Sequence, residues 1–201
     1  MTQSVVNFYG RSHVIEDMGS IPRALIGVVT DFSVAQRRAG SLVDNRSAAE
    51  LNWRPDGKRW SILQCIEHLV LTNQLLLDAI KQALDGQAEA GAECGRIMPT
   101  RIWRILLAMT EPQVRLKGFA PRVLHPALVL DTDRTLTAFA ASHERLRLLA
   151  AQCQGLDINR VRFRHPVMRL KMSVGEAFLL LVVHEQRHLR QAEVVAASLR
   201  A

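Results

Sequence analysis

Apolar residues recur every three or four positions through four long stretches of the chain, with Pro and Gly gathered between them. That period marks amphipathic helices, and few segments alternate apolar and polar over the length of a strand. The first predicted helix covers residues 21–39, with Pro22 suited to an opening turn and Gly40 to a stop. The second covers 61–84, where Ser61 and Gln64 form a capping-box pattern and Asp85-Gly86 ends the run. A third runs from Asp131 or Thr132 to Cys153 and is closed by Gly155. The fourth starts at Ser173, again with a capping box (Ser173 and Glu176), and continues to the C-terminus. A shorter helix is expected at 100–109.

Four long helices predict an all-α protein, a four-helix bundle. The connections bear on its winding. Two of them are roughly 20 residues each, whereas the one between the second and third long helices spans about 45. A connection of that length can recross the bundle and let those two helices run parallel. Residues 1–20 read as an N-terminal extension and 21–201 as one bundle domain, the default for 201 residues.

Composition narrows the class. No apolar run approaches the roughly 18 residues of a membrane span, and the first 20 positions mix Asn7, Arg11, His13, Glu16 and Asp17 with apolar residues, unlike a signal peptide. A cytoplasmic protein with no membrane partner is the expectation by elimination. Cys65, Cys94 and Cys153 are odd in number and far apart, which argues against a disulfide framework. Cys65 lies in an apolar helical pattern and reads as a core residue.

The net charge is +7, and two connecting segments hold the excess: 96–122 has six Lys/Arg against Glu111 alone, and 160–171 has five and no acid. Such segments attract an anionic partner, either a small acid or a phosphate backbone. Aromatics are only 5% of residues and no nucleic-acid motif accompanies the charge, so a small-molecule substrate is expected rather than nucleic acid.

The chemistry concentrates in the histidines. His184-Glu185-Gln186-Arg187-His188 is a complete H-E-x-x-H string near the end of the last helix. Two histidines four apart differ by about 40° around a helix, so both rings can reach one ion. In zinc peptidases the intervening glutamate is the general base and the third ligand follows downstream. Here almost nothing follows; Glu193 is too close. The third ligand must come from earlier, and His68 is the best candidate, on the stripe Ser61, Gln64/Cys65, His68, Thr72, Leu75. His184 and His188 lie on the stripe Ala177, Leu180/Leu181, His184, His188, Gln191, Val195. Buried polar rings among aliphatics need a partner, and a metal supplies one. His143 is on the stripe Leu136, Phe139, His143, Leu146, Ala150 and can point inward. His125 and His165 precede prolines and belong to extended linkers, and His13 lies in the extension.

Trp60-Ser61 leading to Glu67-His68-Leu69, then His184-x-x-x-His188 followed by Gln191, resembles the DinB-like superfamily in the branch that includes bacillithiol-transferase-related metalloenzymes. The resemblance covers about residues 20–200. It implies a bundle with a long crossover, and a metal site of His68, His184 and His188 for zinc, nickel or iron. It further implies a thiol-dependent transferase using a low-molecular-weight thiol, or a hydrolase, and a homodimer. A non-enzymatic ligand-binding or stress-related bundle with a weak or vacant metal site is the alternative. Three neutral imidazoles leave positions open for water, thiolate or substrate.

Glu67, Glu185, Gln64, Gln191 and His143 are the polar residues expected behind the ligands. Trp53 and Trp60 either line the mouth or pack the linker. With the last helix antiparallel to the second, as the resemblance implies, the 160–171 segment sits at the end remote from His68. Arg115, Lys117 and Arg122 are then the residues expected to meet an anionic substrate.

Overall fold

A computed structural model describes residues 21–86, 92–114 and 121–199. The predicted N-terminal extension lies outside the described residues. Four long helices form the bundle: α1 (Ile26–Val43), α3 (Ile62–Asp85), α5 (Thr132–Gln152) and α6 (Val174–Ser198). The short helices α2 (Ala48–Asn52) and α4 (Arg101–Thr110) flank it. A two-stranded antiparallel hairpin, β1 (Arg162–Arg164) with β2 (Lys171–Ser173), leads into α6, with Phe163 opposite Met172. No described helix is long and apolar enough to cross a membrane.

The winding follows from which residues share a core. One end gathers Val28 and Phe32 of α1, Leu77 and Ile80 of α3, Leu146 and Leu149 of α5, and Ala177 and Phe178 of α6. The other gathers Ala39 and Leu42, Ile62 and Ile66, Phe139, and Leu189 and Ala192. Hence α1 and α6 run one way while α3 and α5 run the other. The parallel α3–α5 pair requires the long crossover that the linker lengths permitted.

Helix starts are written in the sequence. Ser61 Oγ accepts from Gln64 N at 3.1 Å while Gln64 Oε1 accepts from Ser61 N at 3.0 Å, and Ser173 and Glu176 do the same for α6 at 3.1 and 2.7 Å. Asp131 opens α5 by accepting from Arg134 N. These bonds satisfy amides that a helix start leaves unpaired.

Three features differ from the reading of the sequence. Gly40 does not stop the first helix, which continues to Val43. An interior Gly costs about 1 kcal/mol, but burying Leu42 at the second core returns about 1.5–3 kcal/mol. The chain turns instead at Asn45, in the left-handed region at φ 59°, which Asn tolerates. Helix α2 is five residues built on a Ser47–Glu50 capping box, too short to show a period. The hairpin strands are three residues each, too short to alternate.

The start of α6 is tied closely to its surroundings. A Cβ on Gly175 would meet Ile97 Cγ2 at 2.9 Å, so a larger residue would force the Ile97 side chain before α4 to shift. Helix α4 then runs beside α6: Thr100 N donates to Glu176 Oε1 at 2.7 Å, and beyond its far end Arg187 donates to the Val114 carbonyl at 2.8 Å. Cys65 and Cys153 are buried free thiols, both pushed up to about 12 by burial, which keeps them uncharged.

Candidate metal centre

The capping box at Ser61 starts α3 so that His68 falls in its second turn, facing α6. The antiparallel α6 brings His184 and His188 alongside it. One nitrogen from each of the three rings falls within 4.8 Å of the others. Ring centroids are 5.1 Å apart for His68–His184, 4.6 Å for His68–His188 and 4.5 Å for His184–His188. Donors on one ion at 2.0–2.1 Å lie at most about 4.2 Å apart, so an ion would draw in any pair standing beyond that.

Two rings are oriented from behind. His68 Nδ1–H donates to the Leu124 carbonyl at 2.8 Å, and His188 Nδ1–H donates to Gln191 Oε1 at 3.1 Å. Each bond leaves Nε2 as the lone-pair nitrogen. His184 Nδ1 is buried with no hydrogen-bond partner among the described residues.

The environment keeps all three neutral. Burial lowers His68, with the charge of His125 adding and the Leu124 bond opposing. Burial drives His184 well below its ordinary value, reinforced by His188, His68, Arg187 and His165 in turn. His188 is lowered to about 3, mainly by burial and then by His68. Neutral imidazoles that repel each other as cations are the protonation state a metal requires. The unpartnered nitrogen and this donor set fit a divalent cation.

Of the residues expected behind the ligands, Gln191 touches one directly. Gln64 acts at one remove: its Nε2 donates to the Ala127 carbonyl at 2.9 Å, tethering the loop that supplies Leu124. Glu185 turns into the bundle, where its carboxylate meets Asn73 and His143 rather than a ligand ring. Glu67 is half-buried and raised by that burial, with Arg134 opposing, and has no hydrogen bond to the three rings. Glu193 pairs with Arg38 at 2.6 Å.

Around the mouth, Trp60 packs over His68 and His188 at centroid distances of 4.7 and 5.7 Å, with His125 across from it at 6.4 Å. Trp53 makes no ring contact with the cluster and is 38% exposed. Arg122 is exposed at the head of a short 3-10 turn, 122–124, whose last residue holds His68. Arg115 and Lys117 lie outside the described residues. The surface hollow lined by Val34, Arg37, Arg38, Ser41, Leu42 and Glu193 contains none of these histidines.

Four participants escaped the sequence reading. The Leu124 carbonyl is a backbone group and carries no side-chain signal. Asn73 was one polar residue in an apolar run. His125 was read only as linker, yet it faces Trp60. His165, also read as linker, is near enough to His184 for its charge to add the smallest contribution to that ring's shift, while the 160–171 segment packs at the core end opposite His68, through Val161 and Phe163. The hairpin folds back beside α4, where Trp103 stacks on His165 and donates to the Lys171 carbonyl at 2.8 Å.

A family model of the DinB superfamily matches residues 31–192. The chain belongs to this superfamily. Among solved structures it is similar to YfiT from Bacillus subtilis, described as a probable metal-dependent hydrolase with an unusual four-helix bundle topology. That likeness has a TM-score of 0.58 at 16% identity and covers 96% of this chain and 94% of YfiT. At that identity it speaks for the DinB-like fold alone. No curated protein matches the chain in sequence.

Proposed function

We propose that this DinB superfamily member is a metal-dependent enzyme, of hydrolase or thiol-dependent transferase type, in which His68, His184 and His188 hold a zinc, nickel or iron ion. The observation that carries this reading is the convergence of three neutral imidazole nitrogens within 4.8 Å, two of them with their opposite nitrogens tied down. The description of the structurally similar YfiT as a probable metal-dependent hydrolase supports it.

A bound divalent ion supplies Lewis-acid chemistry, polarising a carbonyl or promoting the ionisation of water or a thiol. The chain's own residues do the rest. Leu124 and Gln191 hold the tautomers of His68 and His188, which would leave their Nε2 lone pairs for the ion. Trp60 walls one side and limits water there, and His125 borders the approach. Arg122, with Arg115 and Lys117, attracts an anionic small substrate. A cytoplasmic homodimer is part of the same reading.

The test is elemental analysis of protein prepared without a polyhistidine tag. About one divalent ion per chain is expected, lost in His184→Ala. A metal-free wild type whose melting temperature is unchanged by chelator or by added zinc, nickel and iron would sink the proposal and favour the non-enzymatic bundle.

A further inference from the structure

Helix α6 presents polar side chains in two directions. His184 and His188 face His68 in the three-histidine cluster. Glu185, between them, enters the interior with 1% of its surface exposed. Its Oε1 accepts from Asn73 Nδ2 at 2.7 Å and from His143 Nε2–H at 2.9 Å. Asn73 also donates to Ser142 Oγ at 3.2 Å, and the Ser142 hydroxyl donates to the Phe139 carbonyl at 2.7 Å. His143 is wedged between Phe32 and Phe139, at centroid distances of 5.3 and 4.2 Å. Three helices therefore meet at one carboxylate oxygen.

The placement ties this cluster to the histidines. Asn73 follows His68 on α3 by little more than one turn, and Glu185 adjoins His184 on α6. The two helices that bring the ligands together are thus fastened again just deeper in the bundle. The tolerances make that fastening matter. An imidazole tip lies roughly 6–7 Å from its helix axis, so a 20° roll of α6 carries it about 2 Å, and a one-residue slide moves it 1.5 Å. Metal bonds tolerate only about ±0.2 Å.

Apolar packing alone does not prescribe such a setting, because an aliphatic face can roll a few degrees with little loss. A joint that served only stability would do as well or better with apolar side chains of similar size. Here Asn73 Oδ1, His143 Nδ1 and Glu185 Oε2 are all buried without a partner among the described residues. That is a stability cost retained at one place.

We propose that Glu185, Asn73 and His143 form a polar clasp that sets the rotation and register of α6 against α3, making them positioning residues for the three-histidine site. The proposal rests on the metal reading for its consequence, not for its geometry. It assigns the glutamate of the H-E-x-x-H string a role distinct from general base, since its carboxylate is sealed in the bundle.

The test compares Glu185→Leu with Glu185→Gln in the full chain. Zinc affinity is measured by competition with a chromophoric chelator, and melting is followed without metal. Spin labels on cysteines placed at the exposed Gln74 and Val194, with Cys94 replaced by serine, report the α3–α6 distance. Glu185→Leu is expected to melt several degrees below wild type while remaining folded, since it leaves buried donors without their acceptor, to bind zinc about 10- to 100-fold more weakly, as for residues behind metal ligands, and to broaden the distance distribution. Glu185→Gln, which still accepts from Asn73, is expected to stay within about threefold of wild type on the same scale.

Wild-type zinc affinity in a folded Glu185→Leu overturns the clasp. If the wild type takes up no zinc, the metal reading falls and the metal-free distances decide the clasp: broadening supports it, an unchanged distribution overturns it. Should Glu185→Leu fail to fold, His143→Phe, which keeps the aromatic packing and removes one donor, takes its place under the same criteria.

Discussion

Two glutamates of α6, Glu176 and Glu185, are equally buried, at 0% and 1% exposure, and differently satisfied. Glu176 uses both oxygens. One accepts from Ser173 N and the other from Thr100 N, each at 2.7 Å, and the Arg162 guanidinium stands 3.7 Å away. Glu185 loads two donors onto one oxygen and leaves the other bare. Four of the five buried side-chain atoms without a partner among the described residues belong to Asn73, His143, His184 and Glu185; the fifth is on Thr132. The start of α6 is a completed structural joint. Its middle carries unmet polar groups, the mark of a region shaped for something besides stability.

Removing a ligand gives the largest effect. His68→Ala is expected to lose several kcal/mol of zinc binding, out of the roughly 10–16 kcal/mol that full structural zinc sites supply. The stability of the metal-free protein should change much less. Isothermal titration and urea unfolding check the two halves; zinc binding at wild-type strength would erase the contrast between the regions.

The reverse holds at the joint. Glu176→Ala strips two charge-assisted bonds, from the buried Ser173 amide and the part-buried Thr100 amide, and should cost about 2–4 kcal/mol of unfolding free energy. Metal content should not change. A urea midpoint equal to wild type would show that the joint is no stronger than its surroundings.

Acid separates the regions next. His188 is lowered to about 3 and His165 to about 4, against an ordinary value of 6.5. Because the unfolded chain takes up protons first, metal-free stability is complete above about pH 6.5 and declines as pH falls towards the folded values. Each histidine contributes at most about 1.4 kcal/mol per pH unit to that slope. His188→Ala should flatten the curve between pH 6.5 and 5, measured by urea midpoints after chelator treatment; an unaltered slope would assign the acid sensitivity elsewhere.

The smallest effect concerns one bond. Gln191→Ala frees His188 Nδ1 and should weaken zinc about tenfold, or 1.4 kcal/mol. Unfolding of the metal-free protein should be unchanged. An equal loss in both measurements would make Gln191 part of the packing rather than of the site.

Much of the fold was legible because it is local. The helical period, the Ser61–Gln64 and Ser173–Glu176 boxes and the linker lengths each report on a few neighbouring residues, and together they describe the bundle. Gly40 misled because a one-residue propensity of about 1 kcal/mol yields to the burial of Leu42. The hairpin escaped because three-residue strands have no period to read.

The site divides in the same way. The four-residue spacing of His184 and His188 is geometry contained in one helix, and the sequence alone put both rings on one face. His68 entered as a candidate from a different helix, and only the antiparallel packing of α3 on α6 brings it to them. The Leu124 carbonyl, the turn of Glu185 towards Asn73 and His143, and the return of His165 beside α4 belong to tertiary structure alone. They depend on backbone groups and on residues far apart in the chain. A single sequence records which residues can bond; packing decides which of them meet.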